Sequence, residues 1–314
     1  MPTLVVDVVR WGSKIWFDGK LIEFNEAKIH VMTHSLHYGV GVFEGIRAYR
    51  LDDGSVGVFR LDDHLRRLEF SAKIYRLKLP YTLEQLREAV IAVVRESGFG
   101  DCYIRPVVIF NTTALGIFPK ERPVSVAIGA MEWEKYLGEA YRRGARVTVV
   151  KWRRPPPDVL PIGAKALGNY LNSYLATVEA REKGFDEALM LDYRGFVSEG
   201  PGENIFAVLG GKLVTPPPSA SILPGITRDT IMRLARELEG VEVVEADLTL
   251  GQLLSAEEAF FVGTAAEVTP IVEVDGVSIG DGEPGPLTRR LQRLYEDLVR
   301  GRLKEYSSWI TRVT

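Results

Sequence analysis

The residue of this chain best suited to chemistry is Lys165, which lies among small and apolar neighbours in residues 161–170, PIGAKALGNY. No acidic side chain lies within that run. A lysine normally keeps its ammonium group in water, and an apolar environment lowers its pKa because desolvation disfavours the charged form. A neutral amine is a nucleophile that forms a Schiff base with a carbonyl compound. The sequence therefore indicates a lysine that reacts with a carbonyl group.

Three downstream segments offer groups that such a lysine would need beside it. Glu199 supplies a carboxylate, residues 223–227 (LPGIT) precede a predicted helix, and residues 263–266 (GTAA) end a predicted strand. A helix N-terminus binds anions through its free N–H groups, and small residues let a backbone approach a ligand closely. A lysine, a carboxylate and anion-binding segments are what a pyridoxal phosphate enzyme requires.

Each segment alone also has a simpler interpretation. Glu199 could be a solvated carboxylate in a turn between strands, and Glu203 competes with it for any role at a ligand. Residues 223–227 could be an ordinary helix start capped by Thr227, and residues 263–266 a tight turn. The combination, rather than any one segment, favours the cofactor site.

Two arginines extend the set of candidate anion-binding residues. Arg60 and Arg105 each end or interrupt a predicted apolar strand, where an arginine is either an edge charge or a bidentate anion clamp. Tyr103 and Arg105 are two residues apart on a strand, so their side chains share one face. Two such side chains on one face favour a binding function over an edge charge.

The elements around these residues predict an α+β protein in two domains. An Asp-Gly turn predicts a hairpin over residues 14–22, and residues 37–49 lead from a helix or tight turn into a strand. Residues 1–131 form the predicted small domain, 132–140 the linker and 141–314 the large domain. Apolar spacing predicts helices over 61–77, 82–97, 169–183, 227–238, 249–256 and 286–301, and strands over 103–110, 124–131, 147–152, 187–191, 204–209, 212–215 and 259–263.

Composition narrows the function classes. The 314 residues are 46% hydrophobic and 26% charged, as in an ordinary globular protein, and the net charge of −3 argues against nucleic acid as a partner. No apolar run approaches the roughly 20 residues of a membrane span, and the first residues lack signal-peptide features, so we expect a cytoplasmic protein with no membrane partner. Cys102 is the single cysteine, which excludes a disulfide framework and a cysteine metal site.

Other motifs carry less weight. Residues 39–45, GVGVFEG, look like a dinucleotide fingerprint, but the third glycine is one place late and no strand clearly precedes them. His34 and His37 lack further ligands at metal-binding spacing, so we assign them structural roles and expect no metal. No phosphate-binding P-loop, HExxH, paired CxxC or nucleophile elbow is present, which argues against a hydrolase or metalloenzyme.

Taken in order, the motifs resemble the branched-chain amino acid aminotransferases, within the class IV (fold type IV) pyridoxal phosphate enzymes. The resemblance covers nearly the whole chain. Its motifs are HYG and FEGIR in residues 37–47, FRL at 59–61, SAKIYR at 71–76, YIRP at 103–106, GNY at 168–170, SEGPGEN at 198–204, LPGITR at 223–228 and GTAAEVTP at 263–270. The family fold that this implies has a smaller N-terminal α/β domain and a larger C-terminal pseudo-barrel α/β domain.

The resemblance also implies residue roles toward pyridoxal 5′-phosphate. Lys165 would form the Schiff base and move the proton, Glu199 would pair with the ring nitrogen, Tyr170 would bond the ring hydroxyl, and Leu223 would pack on the ring. Four residues would hold the phosphate: Arg60, Ile226, Thr227 and Thr264.

For the substrate, the resemblance implies that Tyr103 and the backbone at Thr264 and Ala265 bind the α-carboxylate, and that Arg105 binds the side-chain carboxylate of glutamate or 2-oxoglutarate. The side-chain pocket would be lined by Phe43, Trp133, Tyr136 and Tyr170. Tyr38 and Ile117 match residues that the partner subunit contributes in relatives, which implies a homodimer or an assembly of dimers.

The implied reaction is a ping-pong transfer of the amino group of leucine, isoleucine or valine to 2-oxoglutarate. The alternatives on the same fold are a D-amino acid or (R)-amine transaminase and 4-amino-4-deoxychorismate lyase, and a further one is a protein that only binds the cofactor. Residues 103–105 and 263–266 favour the branched-chain L-specific form. Residues 111–119 and Pro201 depart from the family pattern, which affects the substrate range more than the reaction.

Overall fold

The fold, seen in a computed structural model that describes residues 9–133 and 137–313, combines one antiparallel and one mixed sheet with helices, which confirms the predicted α+β class. The strands are β1 Lys14–Phe17, β2 Lys20–Glu23, β3 Gly41–Phe43, β4 Ile46–Arg50, β5 Val56–Phe59, β6 Cys102–Phe110, β7 Val124–Glu132, β8 Ala145–Val149, β9 Glu187–Leu191, β10 Val197–Glu199, β11 Asn204–Leu209, β12 Lys212–Thr215, β13 Val243–Glu245, β14 Glu258–Gly263, β15 Glu267–Val274, β16 Val277–Ser278 and β17 Ile310–Val313. The helices are α1 His34–Tyr38, α2 Leu61–Ile74, α3 Leu83–Ser97, α4 Ala140–Arg143, α5 Tyr170–Glu182, α6 Ile226–Glu237, α7 Leu250–Leu254 and α8 Pro286–Val299.

The strands divide between the sheets at the segment that joins β7 to β8. The first sheet has the order β17-β5-β4-β6-β7-β1-β2, with β3 also paired to β6. The second has the order β10-β9-β8-β15-β14-β11-β12-β13, with β16 paired to β15 and β10 also paired to β11. Each half of the chain therefore contributes one sheet, and the space between the halves lies between these two sheets.

The end of the chain returns to the first sheet. β17 pairs antiparallel with β5. The sequence-based prediction places all of residues 141–314 in the second domain. Trp309 binds the turn after β5 as well, because its carbonyl accepts a hydrogen bond of 2.7 Å from the Arg60 N–H. The C-terminal strand thus connects the two halves, and the proposed division at 132–140 stays a prediction.

Local chemistry explains several element boundaries. Asp18 and Gly19 both have positive φ (46° and 92°), which the Asp-Gly turn between β1 and β2 requires. Thr82 and Gln85 form a reciprocal capping box at the start of α3, as its sequence predicts. At α6 the cap is Gly225 rather than Thr227, because the helix begins one residue earlier than the apolar pattern indicated.

The cores lie against the sheets. Helices α2 and α3 cover one face of the first sheet with a continuous apolar cluster, and α6 and α8 cover the second sheet near Phe206 and Phe260. Those two rings face each other across the β11–β14 ladder, 5.2 Å apart and nearly parallel, and both are fully buried. Within the described residues, no helix has the length and apolar character needed to cross a membrane.

Truncating Phe260 tests how much this packing contributes. Phe260→Ala should lower the free energy of unfolding by about 3–5 kcal/mol, because it removes buried apolar surface and leaves a cavity. Phe70→Ala is the matched control, since Phe70 is 49% exposed and its loss should cost at most about 0.5 kcal/mol. Urea unfolding of both variants measures the difference. Equal losses would contradict the assignment of Phe260 to a core.

Candidate active site

A cavity of about 210 Å³ lies between the two halves of the chain and collects most of the predicted site residues. Those that line it are Phe43, Tyr103, Arg105, Trp133, Lys165, Tyr170, Glu199, Leu223, Ile226, Thr227, Thr264 and Ala265. They come from loops and strand ends of both sheets, so the complete cavity exists only when the two halves are packed together.

The first half of the chain holds the backbone of Lys165. Its carbonyl accepts a 3.0 Å hydrogen bond from the Phe43 N–H, and its own N–H donates to Ser71 Oγ at 3.0 Å. The next residue, Ala166, forms an isolated bridge with Val42. The lysine of the second half is therefore fixed against strand β3 and helix α2 of the first.

The Lys165 side chain points among aromatic rings. Its Nζ lies 2.5 Å from Tyr170 Oη and 4.9 Å from the centres of the Phe43 and Tyr170 rings. Burial, reinforced by the Arg67 guanidinium and opposed by Glu44, lowers the pKa of Lys165 to about 8. Burial raises the pKa of Tyr170 to about 12, so its phenol stays protonated near neutral pH. Lys165 thus has a substantial neutral fraction where an exposed lysine has almost none.

Glu199 is the last residue of strand β10. It therefore does not lie in a turn between strands, which was the simpler interpretation of the sequence. Its Oε1 lies 3.0 Å from Arg154 Nε, and its Oε2 accepts hydrogen bonds from Asn204 Nδ2 (2.9 Å) and the Leu223 N–H (3.1 Å). Burial raises the pKa of Glu199 to about 7, against the opposing effects of Arg154 and the Leu223 N–H. The carboxylate is therefore held in place and close to its titration point.

The competing carboxyl, Glu203, also lines the cavity but has a different environment. Its Oε2 accepts a 3.0 Å hydrogen bond from the Gly202 N–H, and burial, reinforced by the neighbouring Glu187, raises its pKa to about 8. A carboxyl group in this position is mostly protonated near neutral pH. The ion pair with Arg154 makes Glu199 the better candidate for a carboxylate that faces a ligand.

The anion-binding segments meet on one side of the cavity. Helix α6 begins at Ile226 without a side-chain cap bond, so its first N–H groups are available to a ligand. A Cβ on Gly225 would collide with Asn204 Oδ1, which explains a glycine at this close approach. Thr264 and Ala265, in the turn between β14 and β15, line the same cavity. The two segments form one concave surface suited to a phosphate or carboxylate.

Arg60 supports this surface without lining the cavity. Its Nη1 donates to the Ile226 carbonyl at 3.2 Å and lies 2.5 Å from Asp229 Oδ2, and its Nε lies 2.6 Å from Asp63 Oδ2. Arg60 itself has a positive φ of 48° at the start of α2. The guanidinium is thus directed at the first turn of α6, behind the anion-binding surface.

The opposite wall carries the predicted substrate residues. Tyr103 and Arg105 share a face of β6, as predicted, with Arg105 Nη2 donating to Tyr103 Oη at 3.2 Å. The Arg105 guanidinium lies 4.7 Å from the centre of the Phe43 ring, and the Tyr103 and Trp133 rings are 4.6 Å apart. Among residues 9–133 and 137–313, Arg105 Nε has no hydrogen-bond partner. This wall combines an aromatic surface with a donor available for an anion.

The remaining predicted residues lie elsewhere. Tyr38 and Ile117 are 42% and 87% exposed and do not line the cavity, although Tyr38 Oη accepts a 3.1 Å hydrogen bond from the Gly116 N–H. Tyr136 lies outside the described residues. In the part of the chain that the structure describes, no cluster of three or more His, Cys, Asp or Glu side chains is arranged to hold a metal ion.

Sequence-based prediction missed several residues of the cavity wall. Arg67, Arg154 and Asn204 line it, and Glu44 and His64 lie directly behind Arg67. One signal was present: His64 and Arg67 interrupt the apolar face of α2, which packs on the sheet. Arg154 gave no local signal, because its importance comes from contact with a carboxylate 45 positions later.

Comparison with known proteins agrees with this site. Residues 41–274 match the family model described as amino-transferase class IV. The chain is 44% identical to the branched-chain-amino-acid aminotransferase of Escherichia coli (strain K12), over 95% of this chain and 97% of that protein. The chain belongs to the class IV aminotransferases.

Solved structures of class IV aminotransferases are correspondingly similar. The branched-chain aminotransferase of Thermoproteus uzoniensis with norvaline has 47% identity and a TM-score of 0.92, with 96% of this chain and 100% of that one covered. The branched-chain amino acid aminotransferase of Thermobaculum terrenum in its PLP-form (holo-form) has 37% identity and a TM-score of 0.91, over 97% and 99% of the two chains. The predicted fold type IV architecture is thereby confirmed.

The lowered pKa of Lys165 is directly testable. In protein stripped of cofactor, the rate at which an amine-reactive reagent modifies Lys165 should rise with pH and reach half its maximum near pH 8, because the neutral amine is the reactive form. Mass spectrometry of the Lys165 peptide across a pH series gives the midpoint. A midpoint near the ordinary lysine value of about 10.4 would contradict the buried environment.

Proposed function

We propose that this chain is a branched-chain L-amino acid aminotransferase that transfers the amino group of leucine, isoleucine or valine to 2-oxoglutarate. The observation that carries the proposal is the site of Lys165: a buried amine of lowered pKa, in one cavity with an ion-paired carboxylate, an uncapped helix start and an aromatic wall edged by Arg105. The branched-chain substrates rest in addition on the relatives named above.

The residues fit pyridoxal 5′-phosphate as the cofactor. Lys165 would bind its carbonyl carbon, Glu199 its ring nitrogen and Tyr170 its ring hydroxyl, while Leu223 packs on the ring face. The phosphate would lie at the start of α6 and the β14–β15 turn, held by Ile226, Thr227 and Thr264, with Arg60 behind them. When bound, this cofactor supplies an electron-accepting ring that stabilises negative charge on the substrate Cα.

Two side chains would govern the protons of the reaction. Lys165 Nζ accepts the proton from the substrate Cα and later returns one, which its pKa of about 8 suits because a base is most effective near the working pH. Glu199, held by Arg154 and the Leu223 N–H, would keep a proton on the ring nitrogen of the cofactor through a charge-assisted hydrogen bond. Tyr170, protonated and 2.5 Å from Nζ, orients the amine.

One pocket must accept both an aliphatic side chain and a carboxylate. Phe43 and Trp133 offer ring surface to leucine, isoleucine or valine, and Arg105, whose Nε has no hydrogen-bond partner among the described residues, is offered to the side-chain carboxylate of glutamate or 2-oxoglutarate. Tyr103 and the backbone at Thr264 and Ala265 are the proposed α-carboxylate site. An apolar wall separates neighbouring aliphatic side chains by only ~1–3 kcal/mol per methylene, so all three donors should react.

We also propose a homodimer, because a set of large apolar side chains around the 111–122 loop is exposed. This surface consists of Val31, Leu36, Tyr38, Ile117 and Phe118. It is one surface rather than scattered residues, since His34 Nε2 lies 3.0 Å from the Gly116 carbonyl. Large exposed apolar patches mark interaction sites, and a second copy that brought Tyr38 and Ile117 to the cavity would match the family pattern.

The visible spectrum of the purified protein tests the reaction. L-Leucine should abolish the yellow absorption of the bound cofactor, and 2-oxoglutarate should restore it, because the two half-reactions run in sequence on one cofactor. Lys165→Ala should lower turnover by several orders of magnitude and should change the absorption spectrum that the protein has before any substrate is added.

The donor decides between the candidate reactions. D-alanine or an (R)-amine that bleaches the absorption while L-leucine does not would overturn the L-specific, branched-chain assignment. Release of pyruvate from a chorismate-derived amine without any amino acceptor would indicate the lyase. Absence of yellow absorption after incubation with pyridoxal phosphate would contradict the cofactor itself.

Charge placed on the exposed apolar surface tests the dimer. Ile117→Lys should weaken self-association at least roughly tenfold, because burial of an unpaired ammonium is costly. Val277→Lys, at a residue that is also exposed (47%), is the control and should leave the assembly unchanged. Sedimentation equilibrium measures both, and a wild-type monomer would refute the proposed assembly.

A further inference from the structure

Glu44 and His64, behind the cavity wall, and Arg67, in that wall, form a buried polar group that the proposed reaction does not use. Arg67 contacts the Glu44 carboxylate through two nitrogens, Nε to Oε1 at 2.7 Å and Nη2 to Oε2 at 2.9 Å. His64 Nδ1 lies 2.7 Å from Oε2 as well. Glu44 is fully buried and His64 is 2% exposed. Burial on this scale is costly unless each group is paired, and here each one is.

The backbone explains why these residues meet. Glu44 follows β3 directly, and its own Oε2 accepts a 3.2 Å hydrogen bond from the Gly45 N–H. His64, Arg67 and Ser71 lie three and four residues apart on α2, so they occupy one helical face. Ser71 is the residue whose Oγ binds the Lys165 N–H. The face of α2 that holds Lys165 therefore also carries Arg67.

Arg67 reaches from the first half of the chain to the second. While two of its nitrogens bind Glu44, Nη1 donates a 3.0 Å hydrogen bond to the Pro224 carbonyl. Pro224 lies between Leu223, the proposed ring contact, and Gly225, the cap of α6. Arg67 itself lines the cavity. One guanidinium thus faces Lys165 and supports the segment that would carry the cofactor ring and phosphate.

The charges of the group follow from its contacts. Arg67 and His64 hold the pKa of Glu44 well below its usual range, despite its burial. Burial lowers the pKa of His64, so the imidazole is neutral near pH 7 and its Nδ1 donates to the carboxylate. Arg67 remains a cation, stabilised by Glu44. The arrangement places a positive charge at the cavity wall and its counter-ion one layer behind.

We propose that Glu44 is a positioning residue that acts through Arg67, fixing the guanidinium between the cavity and the Pro224 carbonyl. Glu44 thereby keeps a cation beside Lys165 and holds residues 223–225 in place. The second effect rests on the proposed function, because it concerns cofactor retention; the first concerns the chain alone.

Charged and titratable groups from every surrounding element face Lys165. They are Glu44 after β3, His64 and Arg67 on α2, Tyr103 and Arg105 on β6, Tyr170 on α5 and Glu199 on β10. Of these, Arg67 gives the largest charge effect that favours the neutral amine, and Glu44 gives the largest that opposes it. Loss of Arg67 should therefore raise the pKa of Lys165, whereas loss of the Glu44 charge with Arg67 still in place should lower it.

This difference is the basis of the first test, made on cofactor-free protein by the Lys165 labelling described above. Arg67→Met should raise the labelling midpoint by roughly half a pH unit or more, and Glu44→Gln should raise it as well, because the guanidinium that Glu44 holds then leaves Lys165. Arg67→Lys keeps the cation and should leave the midpoint near the wild-type value. A Glu44→Gln midpoint below the wild-type value would show that Arg67 stays beside Lys165 without Glu44, which would overturn the proposal.

Cofactor retention is the second test, made on the holoenzyme. Glu44→Gln and Arg67→Lys should both speed release of pyridoxal phosphate roughly ten- to a hundredfold. Either change weakens the support of the Pro224 carbonyl, and a small displacement of groups that position a ligand is costly. Asp101→Asn is the matched control: Asp101 makes a similar two-contact ion pair with Arg300 (2.7 and 2.8 Å), remote from the cavity. Release as slow as in wild type from both variants would overturn the positioning role.

The proposed function and the proposed role of Glu44 can be disproved independently of each other. If wild-type protein binds no pyridoxal phosphate, the proposed function is wrong, while the labelling midpoints still decide the role of Glu44. If Glu44→Gln does not fold, the Arg67 pair decides: a raised midpoint in Arg67→Met with a wild-type midpoint in Arg67→Lys supports the cation, and equal midpoints in the two variants refute it.

Discussion

The burial of Lys165 is the constraint on which the rest of this structure depends. An amine is nucleophilic and basic near neutral pH only where water is excluded from it, and neither half of the chain encloses it alone. Phe43 and Ser71 of the first half fix its backbone, and Tyr170 of the second half contacts its nitrogen. The packing of the two sheets is therefore part of the chemistry, because separating them would return the amine to solvent.

Excluding water from one amine forces the surrounding charges to be paired. Glu199 is held by Arg154 on the second side of the cavity, and Arg67 is held by Glu44 on the first. In the second pair the arginine lines the cavity and its counter-ion lies behind it, whereas Glu199 and Arg154 both line the cavity. A wall residue can then face a ligand with a defined charge, while the desolvation cost is offset by contacts that the ligand does not disturb.

The sequence predicted the parts of this site that depend on local pattern. The alternation of β6 put Tyr103 and Arg105 on one face, the small residues at 263–266 marked a strand end, and the apolar neighbours of Lys165 indicated a buried amine. Pairings between distant segments left no such pattern. The contact of Arg154 with Glu199 and that of Arg67 with Pro224 arise only from tertiary packing, as does the direction of Arg60 behind α6. Helix α6 begins at Ile226 with Gly225 as its cap, rather than at Thr227, and the glycine is set by the close approach of Asn204 and not by capping chemistry.

Arg105 differs from the other arginines of the cavity, and the difference explains how one pocket takes two kinds of side chain. Across residues 9–133 and 137–313, it forms no ion pair with a carboxylate, whereas Arg67 and Arg154 each form one. A ligand carboxylate can therefore supply the missing anion. When an aliphatic side chain occupies the pocket instead, the guanidinium still lies 4.7 Å from the Phe43 ring centre and 5.1 Å from that of Tyr103. Contact with ring faces stabilises a cation by about 0.5–2 kcal/mol, so Arg105 does not need the carboxylate in order to remain in place. Under the proposed function, the aromatic wall would therefore bind the apolar substrate directly and the acidic one through the arginine that lies against it.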